Sequence, residues 1–104
     1  MNDLEVIPWP YEAAPSEERI AEICRQDGLA PYRWSNGPGD TYAPHKHSYH
    51  KVIYVLEGSI VFDLPATGES HGLGAGDRLD LPAGVVHAAR VGPQGVVCLE
   101  GHRD

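Results

Sequence analysis

Glycine and proline recur at short intervals along this chain, and that spacing limits what it can fold into. The 12 Gly and 9 Pro residues fill a fifth of its 104 positions and are spread rather than clustered. Glycine admits the backbone angles of tight turns, and proline cannot donate to a strand ladder, so each such site marks a break. From residue 30 onward the intervals between breaks are of strand length. The reading is strands over 30–35, 42–47, 50–57, 59–64, 70–73, 78–81, 85–91 and 96–100, with turns at 36–40, 65–69, 74–77, 82–84 and 92–95. Short strands at near-regular spacing indicate an all-β sandwich or barrel.

One helix precedes them. Ser16 is a good N-cap, and Glu17 and Glu18 suit the positive end of a helix. Ile20, Ile23 and Cys24 recur at i, i+3 and i+4, giving one narrow apolar stripe, and Gly28 suits the C′ position. The helix is expected over 16–27, covering one end or face of the sheet. Residues 1–15 carry Pro8, Pro10 and Pro15 around Trp9 and Tyr11. They read as an irregular arm that packs either on its own barrel or on a partner subunit. The organisation is thus an arm and helix over 1–29 and a β-barrel over 30–104, together one structural domain.

Composition narrows the function. Eight Lys and Arg against fifteen Asp and Glu give a net charge of −7, which argues against nucleic-acid binding and offers no basic membrane patch. No apolar run approaches the roughly 18–20 residues of a spanning helix. The N-terminal segment lacks the basic region of a signal peptide, so a cytoplasmic location is expected. Cys24 and Cys98 form no metal or redox motif and read as buried free thiols.

The chemistry points to three histidines. In a strand, residues i and i+2 face the same way, so His45 and His47 aim two imidazoles at one place. Pro82-x-Gly84 reverses the chain so that His87 begins a returning strand. A third nitrogen from that strand completes a site with open coordination positions.

These segments resemble the two motifs of the cupin superfamily. The first motif reads Gly, five residues, His-x-His, three or four residues, Glu, six residues, Gly; it falls on Gly39, His45, His47, Lys51 and Gly58. The second reads Gly, five residues, Pro-x-Gly, two residues, His, three residues, Asn; it falls on Gly76, Pro82, Gly84, His87 and Val91. The resemblance implies a jelly-roll barrel with His45, His47 and His87 as ligands of a divalent metal ion (Fe, Zn, Cu, Ni or Mn). It also implies a homodimer, because cupins commonly pair through an edge strand and N-terminal exchange.

Lys51 departs from the pattern, because it stands where cupins usually carry a fourth, carboxylate ligand. On a regular strand it would share a face with His45, His47 and Tyr49, and Lys51 or Tyr49 would then be the nearest proton-handling group. Otherwise a bulge turns Lys51 to solvent, or its amine reaches a carboxylate. His50 faces away in a regular strand but becomes a fourth nitrogen ligand if the strand bulges. A three-histidine set without carboxylate is similar to that of thiol dioxygenases among the cupins. Tyr32 and Trp34 share a strand face and suit a lid or dimer contact. Arg78 and Asp80 read as surface or rim charges, and His71 and His102 as solvated.

Three functions stay open. One is a metal-dependent enzyme acting on a small molecule, of oxygenase or isomerase type. The second is a module that binds or senses a small ligand or metal without turnover. The third is a metal-free pocket in which Lys51 anchors an anion.

Overall fold

The computed structural model describes residues 4–103. Seven antiparallel strands and one helix occur among them: β1 (Glu5–Ile7), α1 (Glu17–Gln26), β2 (Tyr32–Asn36), β3 (Thr41–His45), β4 (His50–Leu64), β5 (Glu69–Leu73), β6 (Arg78–Leu81) and β7 (His87–Arg103). The two long strands, β4 and β7, form the spine. They pair from His50 with Arg103 to Asp63 with Ala88. The first half of β4 also pairs with β6, and the second half with β5. The first half of β7 pairs with β3, and the second half with β2. β4 and β7 therefore each run from one layer of a jelly roll into the other.

Both long strands bend where they change layers. Sequence reading splits β4 at Gly58 and β7 over 92–95, but the pairing continues through each bend with a register shift. Gly58 and Gly95 both have positive φ, 79° in each case. A Cβ at Gly58 would lie 2.0 Å from the Gly95 carbonyl oxygen. The two bends nest against each other, and only glycine leaves room for that approach.

Strand alternation sorts the core into two groups. Ile53, Val55, Leu79, Leu81, Val96 and Cys98 point into the barrel with Ile60 and Phe62. Val52, Tyr54, Leu56 and Leu99 point out and are covered by Ile20, Cys24 and Leu29. The helix begins as its sequence indicates, with Ser16 Oγ accepting from the Arg19 N–H at 3.1 Å. It ends in a Schellman motif: the Gly28 N–H donates to the Arg25 carbonyl and the Leu29 N–H to that of Cys24. Cys24 and Cys98 are buried free thiols, and burial pushes the Cys98 thiol up to about 12.

The arm is more ordered than its prolines suggest. Val6 and its neighbours pair with β6 before Pro8 ends the ladder. Trp9 then lies against Gly76, where a Cβ would come within 2.5 Å of the Trp9 Cβ. The described part of the arm thus packs on its own barrel; residues 1–3 and 104 lie outside the described residues. No described helix is long and apolar enough to cross a membrane.

Candidate metal centre

His45 closes β3, His87 opens β7, and the two are direct cross-strand partners. His47 lies beyond the end of β3, in the irregular link 46–49, so the strand alternation expected to align it with His45 does not hold there. A backbone hydrogen bond does that work instead: the Gly84 N–H donates to the His47 carbonyl at 2.8 Å. It ties the link to the turn that delivers His87. The three rings converge, with centroids 4.9 Å (His45–His47), 4.4 Å (His45–His87) and 5.3 Å (His47–His87) apart. One nitrogen from each lies within 4.8 Å of the other two.

The hydrogen bonds define which nitrogens are free. His45 Nδ1 lies 2.7 Å from the Ala43 carbonyl and His87 Nδ1 lies 2.9 Å from that of Val85. A carbonyl only accepts, so each Nδ1 carries the proton and each Nε2 keeps its lone pair. His47 Nε2 is buried and has no hydrogen-bond partner. An unpartnered buried polar atom is costly, and facing two bare nitrogens it fits a cation that all three could bind. Burial, followed by the Lys51 charge and the neighbouring imidazoles, pulls His47 down to about 4. Burial likewise lowers His87. Both rings are neutral at pH 7, the form that ligates a metal.

Tyr49 stacks on His47, with centroids 4.9 Å apart, and meets the His102 ring at a tilt, at 4.1 Å. Lys51 points into the barrel, and its Nζ lies 3.5 Å from Glu100 Oε2. Of the alternatives for this lysine, the structure has the amine reaching a carboxylate and no bulge turning it to solvent. His50 is not in the histidine cluster. β4 pairs without a register shift from His50 to Val55, so His50 faces the opposite side from Lys51, and its Nε2 lies 3.1 Å from Asp80 Oδ1. Arg78 and Asp80 are not simple surface charges: they pair with each other at 2.9 Å, partly buried beside Tyr54.

Glu100 is the residue that sequence reading passed over. It is 3% exposed. Tyr32 Oη donates to it at 2.7 Å, Trp34 Nε1 at 2.9 Å and His102 Nε2 at 2.5 Å. Tyr32 and Trp34 therefore line the cavity as its clamps, Tyr32 at the exposed rim, while His102 is exposed, as expected, and reaches Glu100 with one ring nitrogen. Burial alone would raise this carboxyl. The hydrogen bonds from His102 and Tyr32, with the Lys51 charge, outweigh it and hold the carboxyl below the usual carboxylate range. The signal was present in Val96-Val97-Cys98-Leu99-Glu100, a strand apolar on both faces, where a charge must be buried and must find partners.

A cavity of about 320 Å³ joins the two groups, with His45, His87, Tyr49, Lys51 and Glu100 on its polar side and Ile53, Ile60 and Phe62 among its apolar walls. It lies at the small end of the range for small-molecule sites.

A family model described as a cupin domain matches residues 32–101. Among curated proteins no relative matches. Several solved structures do. An RmlC-like cupin from Shewanella frigidimarina is 27% identical over 71% of this chain, with a TM-score of 0.61. The polyketide cyclase RemF from Streptomyces resistomycificus is 28% identical over 73%, with a TM-score of 0.63. The DMSP lyase DddQ from Ruegeria pomeroyi is 28% identical over 73%, with a TM-score of 0.65. The matches cover 64%, 55% and 38% of those proteins' own lengths, in that order, less than two thirds of each.

Proposed function

The chain belongs to the cupin family, and from that premise we propose that it is a three-histidine metalloprotein that binds and acts on a small molecule in the cavity beside His45, His47 and His87. The observation that carries this reading is His47 Nε2, buried and unpartnered between two imidazoles whose Nδ1 protons are committed to backbone carbonyls. Three imidazole nitrogens suit divalent iron, zinc, copper, nickel or manganese. Such an ion supplies Lewis acidity, or redox chemistry where the element allows it, at the positions the histidines leave open.

The remaining roles fall to the chain itself. The Ala43 and Val85 carbonyls fix the two ring orientations, as outer partners of metal-ligating histidines commonly do. Tyr49, stacked on His47 and lining the cavity, is the group we assign to proton handling. Ile53, Ile60 and Phe62 exclude water from the apolar side. Among the similar structures are a lyase and a cyclase by name. We take the activity here to be enzymatic, of oxygenase or isomerase type, rather than storage or sensing.

Metal analysis after loading with each of the five ions tests the reading. About one equivalent per chain is expected, and retention below about 0.1 equivalent for all five would sink it. Oxygen uptake and product analysis with a panel of thiols and diketones then separate turnover from simple binding.

A further inference from the structure

The carboxylate that Lys51 approaches already has three closer donors. A carboxylate offers about four acceptor positions. Tyr32, Trp34 and His102 already donate to Glu100 at 2.9 Å or less. Lys51 stands farther off, at 3.5 Å, with its side chain 14% exposed. An ammonium has three donors, and this one makes no hydrogen bond to a described side chain. At most one N–H can turn to Glu100, which leaves two for the cavity that Lys51 lines.

Charge points the same way. Without an ion, the Lys51 ammonium and the Glu100 carboxylate offset each other. With a dication on the histidines the interior carries two net positive charges and no anionic ligand among the three histidines. A low-dielectric site of that charge favours an anion from outside. We propose that Lys51 is the anchor for an anionic head group, and that the molecule bound here is a small organic acid whose carboxylate meets Lys51 while its short apolar body lies against Ile53, Ile60 and Phe62. Glu100 is a positioning residue that holds the ammonium at the wall. The anion is a carboxylate rather than a phosphate ester, because Lys51 is the one Lys or Arg lining the cavity, and a dianionic phosphate is best held by several charged donors. This inference deepens the three-histidine reading and rests on it for the charge of the loaded site.

The test uses full-length protein loaded with Co(II), which reports its own coordination in the visible spectrum. Propionate, propionamide and inorganic phosphate are titrated into wild type, Lys51→Met and Lys51→Arg by calorimetry, with circular dichroism as the check on folding. Wild type should bind propionate at least about tenfold more tightly than propionamide or phosphate. Lys51→Met should take up a full equivalent of Co(II) yet lose at least about tenfold in propionate affinity, with Lys51→Arg restoring part of it. Propionate affinity in a folded Lys51→Met within about twofold of wild type would overturn the proposal. Equal binding of propionamide would overturn it too, and tighter binding of phosphate would overturn the assignment of a carboxylate. If wild type takes up no Co(II), the metal reading fails by itself. Apo protein then decides the lysine: propionate binding abolished in Lys51→Met sustains the anchor, and no binding removes it.

Discussion

His45 faces His87 directly across the β3–β7 ladder, their rings 4.4 Å apart, although 41 residues separate them along the chain. The pairing joins one segment of each cupin motif, and it makes the proposed centre a property of the closed barrel rather than of any single strand.

If these rings and His47 hold a metal ion, that ion stabilises the fold by mass action. At a free metal concentration about a hundred times Kd, wild type should gain ~2.7 kcal/mol in denaturant unfolding. His87→Ala should gain nothing under the same conditions. An equal gain in both proteins would show that the metal binds elsewhere.

His50 provides the contrast. It lies on the outer side of β4, next to Asp80. His50→Ala should therefore leave metal content at the wild-type level and cost no more than ~1 kcal/mol. Loss of metal in this variant would restore His50 as a ligand.

Asp80 should make stability depend on acid. Burial alone would raise its carboxyl, but the hydrogen bonds from Arg78 and His50 outweigh that and hold it below its ordinary value. A carboxyl with a folded pKa below the unfolded one, about 3.9, stabilises fully above the unfolded value. That contribution is lost as pH falls through the folded value. Asp80→Asn should thus be less stable than wild type at pH 7, and the gap should close as pH drops below about 4. Urea melts across that range would measure it; a constant gap would assign the loss to packing instead of charge.

Gly58→Ala should be among the most damaging single substitutions. The new methyl would meet the Gly95 carbonyl at 2.0 Å, on a backbone with φ 79°. Failure to fold, or a loss above ~3 kcal/mol, is expected. Gly68 is the matched control, since its φ is 77° but nothing lies within 4 Å. Gly68→Ala should lose only ~1–2 kcal/mol. Comparable losses at the two sites would mean that the nested bends do not limit the fold.

Much of this architecture can be read along the chain because its determinants are local. Ser16 and Gly28 bracket the helix, turn residues mark strand ends, and the spacing of His45, His47 and His87 matches both family motifs. What escaped reading depends on which strands touch. Glu100 ends a run apolar on both faces, which marks a buried charge, but its partners exist only once β2 brings Tyr32 and Trp34 against it and β4 brings Lys51. Gly58 and the 92–95 stretch read as strand ends because nothing local says that two bends will coincide and keep the ladder intact. His47 does lie with His45, as the i, i+2 spacing suggests, but the Gly84 hydrogen bond and not strand alternation holds it there.

The β4–β7 spine also has a kinetic consequence. Residues 50–63 pair with residues 88–103, so a long loop must close before the central ladder contributes anything, and topologies of this kind fold in about milliseconds to seconds. His87 enters with the same strand, and a chain that has not yet docked β7 presents two histidines and no third. An ion bound at this centre should therefore leave the refolding rate nearly unchanged and appear almost wholly as slower unfolding.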